Sequence, residues 1–312
     1  QTDGIAHRAL SGTVTRTWQP CHTLGASWPL PKRLGSGQKI QEKAALTAYS
    51  KQRDCLTMVA SCEETHAVEQ DKSCIIRHFS HYCSLNDDEK ALLASLEESP
   101  TNIKAGTVLW EMGAPANEFC TLRSGWAYSY RHLENGDRQI LEVFLPGDII
   151  GLREFAFSQR LENVRMISDG VICHFPHKRM LEVFRESLSL TSVMFAIASR
   201  QQALLTERLV NLARRSARKK MAHFLHEMYL RLRQTNDDIS GQFRLPLSQE
   251  QLADILGLSP VHVSRTFTAL SEDGLVFRDR HHVTIPDLDA LATEGEFDDC
   301  YLTDNVRPLL EA

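Results

Sequence analysis

LPLSQEQLADILGLSPVHVSRTFTALSEDGLVF, residues 245–277, reads as two short helices joined by a tight turn. Ser248 is an N-cap residue with Gln251 three positions on as its capping-box partner. Leu252, Ile255 and Leu256 give the first helix an apolar stripe at helical spacing, and Gly257 supplies the backbone freedom to end it. Ser259 caps the second helix, and Pro260 takes its first position, where a missing N–H costs nothing. Val263, Phe267 and Leu270 form its inner face, and Gly274 can terminate it. The opposite face carries Val261, His262, Ser264, Arg265 and Thr268. Short polar groups and one arginine on an exposed face suit a helix that enters a DNA major groove. The alternative is an ordinary helical hairpin of a core, which gives that face no purpose. The stretch therefore reads as a DNA reader with 260–271 as its recognition helix.

At this point LADILGLSPVHVSR resembles the helix-turn-helix of the CRP/FNR transcription regulators. The resemblance implies an α+β protein: an antiparallel β-barrel or roll as sensor, of the cyclic-nucleotide-binding type, then a long dimerisation helix and a C-terminal winged helix-turn-helix. It implies a homodimer on a palindromic duplex DNA site, with RNA polymerase as a further partner if the protein activates. By the same resemblance Ser264 and Arg265 contact DNA, the arginine reading a guanine. Ser248 and Gln249, opening the first helix, join Val261, His262 and Thr268 in the expected DNA-facing set. Many members carry a glutamate where this chain has Val261. A valine cannot accept a hydrogen bond, so the half-site is expected to differ there.

The chain's 312 residues allow about two domains. Its hydrophobic content of 42% and charged content of 24% are ordinary for a globular protein. No apolar run approaches the roughly 20 residues of a spanning helix, and no export signal is evident. Eight cysteines at irregular spacing do not make a disulfide framework. Reduced thiols in a cytoplasm are the expectation. A net charge of −5 is unexpected for a DNA binder until it is divided by region. Residues 200–281 hold 13 Lys/Arg against 9 Asp/Glu, while the tail from Asp287 holds eight acids and only Arg307.

Residues 1–70 mix Gly, Pro, Ser and Trp without either period and read as a disordered or non-native extension. Met58 would start a chain of family-typical length, so much of 1–57 is expected to lie outside the working protein. A sensor domain is expected over 71–188. It opens on a short helix capped by Asn86 with Glu89 as partner. Short strands follow between Ile103 and Pro176, with Asn135-Gly136 suited to a type I′ hairpin and Pro146-Gly147-Asp148 to another turn. SGWAYSY and DRQILEVFLPGD resemble the family's sensor in this region.

The stretch from Leu190 to Ala213 lacks Gly and Pro, with Leu190, Met194, Ile197, Ala198, Gln201, Leu205 and Leu212 near heptad positions. A buried core helix is one reading; the preferred one is the dimerisation helix, 189–214. The DNA-binding domain is expected over 215–290 and an acidic tail over 291–312. At the junction stand Arg214, Arg215, Arg218, Lys219 and Lys220, with Arg218 and Lys219 as candidates for phosphate contact. GLVFRDRHHVTI reads as a hairpin wing with Arg278, Arg280, His281 and His282 near its tip.

Three sensor inputs can be compared. In nucleotide-binding members a glutamate holds the ribose and an Arg-Ser-Ala segment the phosphate. Here Arg160 is followed by Leu161 and Glu162, and a bulky leucine and an anion both disfavour a phosphate. In oxygen-sensing members cysteines hold an iron–sulfur cluster. CIIRHFSHYC resembles that segment, so Cys74, Cys83 and Cys173 match three ligand positions, with Asp71 near the fourth. Buried structural thiols are the competing reading. The third option, no cofactor, is the one the sequence favours. Rival functions are a regulatory ligand-binding module without DNA reading, against which the capped helix pair with Arg265 argues, and an enzyme. No nucleophile–base motif, Gly-rich phosphate loop or HExxH appears, so no catalysis is expected.

Overall fold

A computed structural model describes residues 73–97, 99–236 and 239–303. The expectations for 1–70, for Asp71 and for the last residues of the tail lie outside these. Two short helices come first, α1 (Cys74–Ser80) and α2 (Asp87–Ala94). The latter carries the full capping box of Asn86 and Glu89.

Eight antiparallel strands follow: β1 (Pro100–Ile103), β2 (Val108–Trp110), β3 (Glu118–Ser124), β4 (Ala127–His132), β5 (Arg138–Phe144), β6 (Ile149–Ile150), β7 (Asn163–Met166) and β8 (Gly170–Pro176). They form two four-stranded sheets ordered β1-β8-β3-β6 and β2-β7-β4-β5, which makes the expected roll. The hairpin between β4 and β5 departs from the expected type I′ turn. Gly136 takes φ 87, but Asn135 does not have a positive φ. Its side chain instead binds Asp137 twice, at 2.7 and 3.1 Å. One left-handed residue after an ordinary turn closes the loop. Leu145-Pro146-Gly147-Asp148 is a turn closed by Asp148 N–H donating to the Leu145 carbonyl at 3.0 Å, with Gly147 at φ 99.

α3 (His177–Glu186) leads into α4 (Leu188–Arg214), a helix of 27 residues capped by Ser187. That helix ends with Arg215 as its extended C-cap, and Ser216 caps α5 (Ala217–Thr235). The DNA-binding unit then holds β9 (Gln242–Arg244), α6 (Gln249–Leu256), α7 (Pro260–Glu272), β10 (Phe277–Asp279), β11 (His282–Thr284) and α8 (Leu288–Gly295). A last turn, α9, spans Cys300–Thr303. The expected acidic tail is thus in part a packed element. Asp287 caps α8, whose Leu291 is fully buried, and Gly295 lies so close to His223 that a Cβ would meet its backbone N at 2.7 Å.

The sheet β2-β7-β4-β5 is buried on both faces. Ala127 and Phe144 fill the roll interior. Trp126, Tyr128, Tyr130, Ile140, Val143 and Leu145 point outward into one core with Met221, Leu225, Leu252 and Val263 of the DNA-binding unit. The period-two alternation of β4 therefore serves two cores at once.

Candidate nucleic-acid interface

The reader is built by local chemistry. Ser248 Oγ accepts from Gln251 N–H at 3.0 Å, and Gln251 returns a bond to Ser248 N–H at 2.8 Å. Gly257 ends α6 at φ 59, a left-handed geometry that glycine takes without steric cost. Ser259 then caps α7, and Pro260 occupies its first turn. Val263, Thr266 and Leu270 are buried, while Phe267 is half-buried. Thr266 thus shares the inner face with the aliphatic residues the sequence marked out.

The outward row stands as the sequence places it. Val261 (59% exposed), His262, Ser264, Arg265 and Thr268 all face solvent, with Ser248 and Gln249 exposed at the start of α6. His262 Nδ1 lies 3.1 Å from Ser259 Oγ, and Thr268 Oγ1 donates to the Ser264 carbonyl at 3.2 Å. The Arg265 side chain makes no hydrogen bond or ion pair within the described residues, so its fork of donors stays available.

The two candidate phosphate contacts are placed differently. Arg218 is bound inside the protein: Nη1 lies 2.7 Å from Asp273 and Nε 2.9 Å from Glu294. Nη1 also reaches the Ala269 carbonyl at 3.4 Å. The Glu294 hydrogen bond foremost, with Asp273, raises its pKa. Lys219 pairs with Glu296, whose pKa that bond lowers. Both cations are thereby held by acids at the C-cap of α7, in the last turn of α8 and just beyond it rather than left open. On the wing, Arg280, His281 and His282 are exposed, but Arg278 is turned inward.

The sensor interior does not fit a cyclic nucleotide. Arg160 is buried, with Nη1 2.9 Å from Glu154 Oε2 and Nη2 donating to the Glu118 carbonyl at 2.7 Å. Its guanidinium lies 3.8 Å from the Trp110 ring centroid. Glu154 Oε1 accepts from Leu161 N–H at 2.7 Å. The arginine and the glutamate therefore bind each other. Arg153 bridges Glu142 at 3.0 Å and Glu162 at 2.8 Å, and burial raises the pKa of both carboxyls. The cavity that remains, lined by Trp110, Ser129, Glu142, Glu154 and Glu162, is about 20 Å³. That is room for about one water. Its lining is also wrong for a phosphate, with three carboxyl groups against a single guanidinium, that of Arg153.

Nor are the cysteine candidates assembled into a cluster site. Cys74 Sγ donates to the Arg123 carbonyl at 3.0 Å and accepts from Arg77 at 3.2 Å. Cys83 is buried with Phe79 and Tyr82 in the core under α1. Cys173, on β8, reaches the Glu97 carbonyl at 3.6 Å, and burial raises its thiol pKa. No three His, Cys, Asp or Glu side chains among the described residues are grouped to hold a metal. Among the described residues, Cys74, Cys83 and Cys173 are not drawn together into a ligand set, because each thiol has its own packing partner.

Comparison with known proteins agrees with this geometry. Residues 219–294 match the Crp-like helix-turn-helix domain, and residues 100–187 match the cyclic nucleotide-binding domain. The transcriptional activator protein FnrL of Cereibacter sphaeroides is 27% identical over 231 residues, 71% of this chain and 90% of that protein. The anaerobic regulatory protein of Haemophilus influenzae is 24% identical over 220 residues, 70% of this chain and 85% of that protein. The solved structure of FixK2 from Bradyrhizobium japonicum shares the fold, with a TM-score of 0.57 at 22% identity, over 63% of this chain and 96% of that one. With both domains matched in order and a capped helix-turn-helix on the surface, the chain belongs to the CRP/FNR family of DNA-binding transcription regulators.

Proposed function

We propose that the protein works as a homodimer that reads a palindromic DNA site, with α7 of each subunit in a major groove. The observation that carries this reading is the exposed row Val261, His262, Ser264, Arg265 and Thr268, with the Arg265 side chain left without a partner among the described residues. Arg265 offers a bidentate donor pair to guanine O6 and N7, and Val261 an apolar contact to a thymine methyl. Ser248 and Gln249, exposed at the start of α6, supply backbone contacts. Arg218 and Lys219 join them only if their acid partners release them.

Support for the dimer comes from α4. Leu188, Phe195 and Leu209 are 82%, 76% and 66% exposed and fall at seven-residue multiples. A stripe of this kind is the seam of a two-stranded coiled coil. Leu190, Met194, Ile197 and Gln201, which the heptad reading of the sequence included, are instead buried in their own subunit. Of that set Ala198, Leu205 and Leu212 remain partly or fully exposed.

No helix among the described residues is long and apolar enough to cross a membrane. Reading DNA places the protein in the cytoplasm, with RNA polymerase as partner where it activates. Site selection from a random DNA pool tests the proposal: the wild type should yield a two-fold symmetric motif, and Arg265→Ala should lose one guanine from each half. Identical motifs from both proteins would refute it.

A further inference from the structure

Arg278 lies on β10 beside the wing turn, where the sequence reads as the tip of a hairpin wing. Its guanidinium instead reaches into the reader. Nη2 donates to the Leu247 carbonyl at 2.6 Å, in the segment that enters α6. Nε donates to the Arg280 carbonyl at 3.0 Å, across the wing turn. Its Cζ lies 4.9 Å from the centroid of the Phe267 ring on α7. One side chain thus touches the entry to the first helix, the recognition helix and the wing.

Two details give these contacts weight. Arg280 holds φ 52, a left-handed geometry that a non-glycine residue keeps only when its surroundings fix it, and the bond from Arg278 Nε lands on that residue. Phe267 lies within one helical turn of Ser264 and Arg265, so whatever sets the angle of Phe267 sets the reach of both. No carboxylate pairs with Arg278 among the described residues, so carbonyls and an aromatic face are its partners.

We propose that Arg278 is a positioning residue for base reading, fixing the recognition helix against the wing rather than binding phosphate itself. The proposal rests on α7 being the base-reading helix. It predicts that charge alone will not replace the guanidinium. A lysine keeps the cation but loses the planar fork that spans two carbonyls and faces a ring.

The test uses the full chain and two duplexes of equal length, one carrying the site selected by the wild type and one of random sequence, titrated across potassium chloride concentrations. Arg278→Lys and Arg278→Met should each weaken binding to the selected site by about ten- to hundredfold, the worth of one misaligned bidentate base contact. Random-duplex affinity and the salt slope of Arg278→Lys should stay at the wild-type values. Phe267→Leu, which removes the ring from the same contact, should show the same selective loss. A direct phosphate contact predicts the opposite: a harmless Arg278→Lys, and an Arg278→Met that weakens both duplexes and lowers the salt slope by about 0.9. That result overturns the proposal, as does unaltered binding by all three variants. Collapse of thermal melting in both Arg278→Lys and Phe267→Leu, with random binding lost as well, would assign the residue a purely structural part and overturn it too. Arg265→Ala, run alongside, checks the premise separately: an unchanged selected motif there faults base reading by α7, whatever Arg278 does.

Discussion

Arg138 on the sensor roll and Asp254 on the first helix of the reader share a single carboxylate oxygen, Oδ2, with Nη2 at 2.5 Å and Nε at 2.7 Å. Gln139, the next residue, donates to the backbone carbonyl of the same aspartate at 2.6 Å. Further along β5, Arg208 of α4 donates to the Leu141 carbonyl and Arg231 of α5 to the Val143 carbonyl. Arg208 and Arg231 also meet at Glu227, at 3.1 and 3.7 Å. Strand β5 is thus held by three helices, α4, α5 and α6.

Asp254→Asn keeps the side-chain size and removes the charge. It should cost about 1–2 kcal/mol, the lower part of the range for charged hydrogen bonds because the pair is partly solvated. Calorimetry should show the reader melting ahead of the roll. A single transition at the wild-type temperature would contradict the idea of a latch.

Replacing Phe195 with glutamate puts a charge into the seam proposed on α4. The variant should sediment as a monomer at micromolar concentration and lose affinity for the selected site, since one subunit covers one half-site. Persistent dimers with full affinity would move the interface elsewhere.

Val261→Glu replaces an apolar tip by an acceptor suited to cytosine N4. Selected sites should change at one position per half and keep the guanine that Arg265 reads. A motif identical to the wild type's would mean that Val261 does not face a base.

Arg160→Ala leaves Glu154 buried opposite no cation and should cost about 3–5 kcal/mol. The pair replacement Arg160→Met with Glu154→Leu should recover much of that loss. Cyclic AMP at millimolar concentration should leave the melting temperature of the wild type where it was. A rise of several degrees would show that the ion pair yields to the ligand.

Half-buried His78 and buried His223 make the fold acid-sensitive. Burial holds His78 and His223 at a pKa of about 3, against 6.5 in the unfolded chain. Between those values the unfolded state binds more protons, so stability present above pH 6.5 is lost as the pH falls. At pH 5 the loss should be on the order of 2 kcal/mol for each group. His78→Phe should flatten that part of the urea-denaturation profile. An equally steep profile in the variant would place the proton uptake elsewhere.

The reader was legible because its signals are local. Ser248, Gln251, Gly257, Ser259 and Pro260 act on backbone groups within four residues, so their order alone defines both helices. The α4 seam was harder, because apolar residues line more than one side of that helix. Leu190 and Leu188 differ only in what surrounds them, and the first packs under the roll while the second is bare. Arg218 and Arg278 look like solvent charges in a basic stretch; Glu294 and Leu247, distant in sequence, draw them inward. The Glu154–Arg160 pair shows the same limit, since composition names both residues but only the fold turns them toward each other. Helix α8 hid behind its acids: Asp287 and Asp289 read as tail, yet they are the cap and first turn of a helix that prefers negative charge there.

Strand β5 is the outermost of its sheet, and a sheet margin is a template on which another strand can grow. In this protein the carbonyls of Leu141 and Val143 on that margin are already taken by guanidinium groups from helices beyond the roll. The helices also cover Tyr128, Ile140 and Val143 on the outward face. A roll cut free of everything after α3 would bare a greasy sheet and an unsatisfied margin together. The two halves of the chain are therefore bound by solubility as well as by packing, with the DNA reader acting as the roll's shield against self-association.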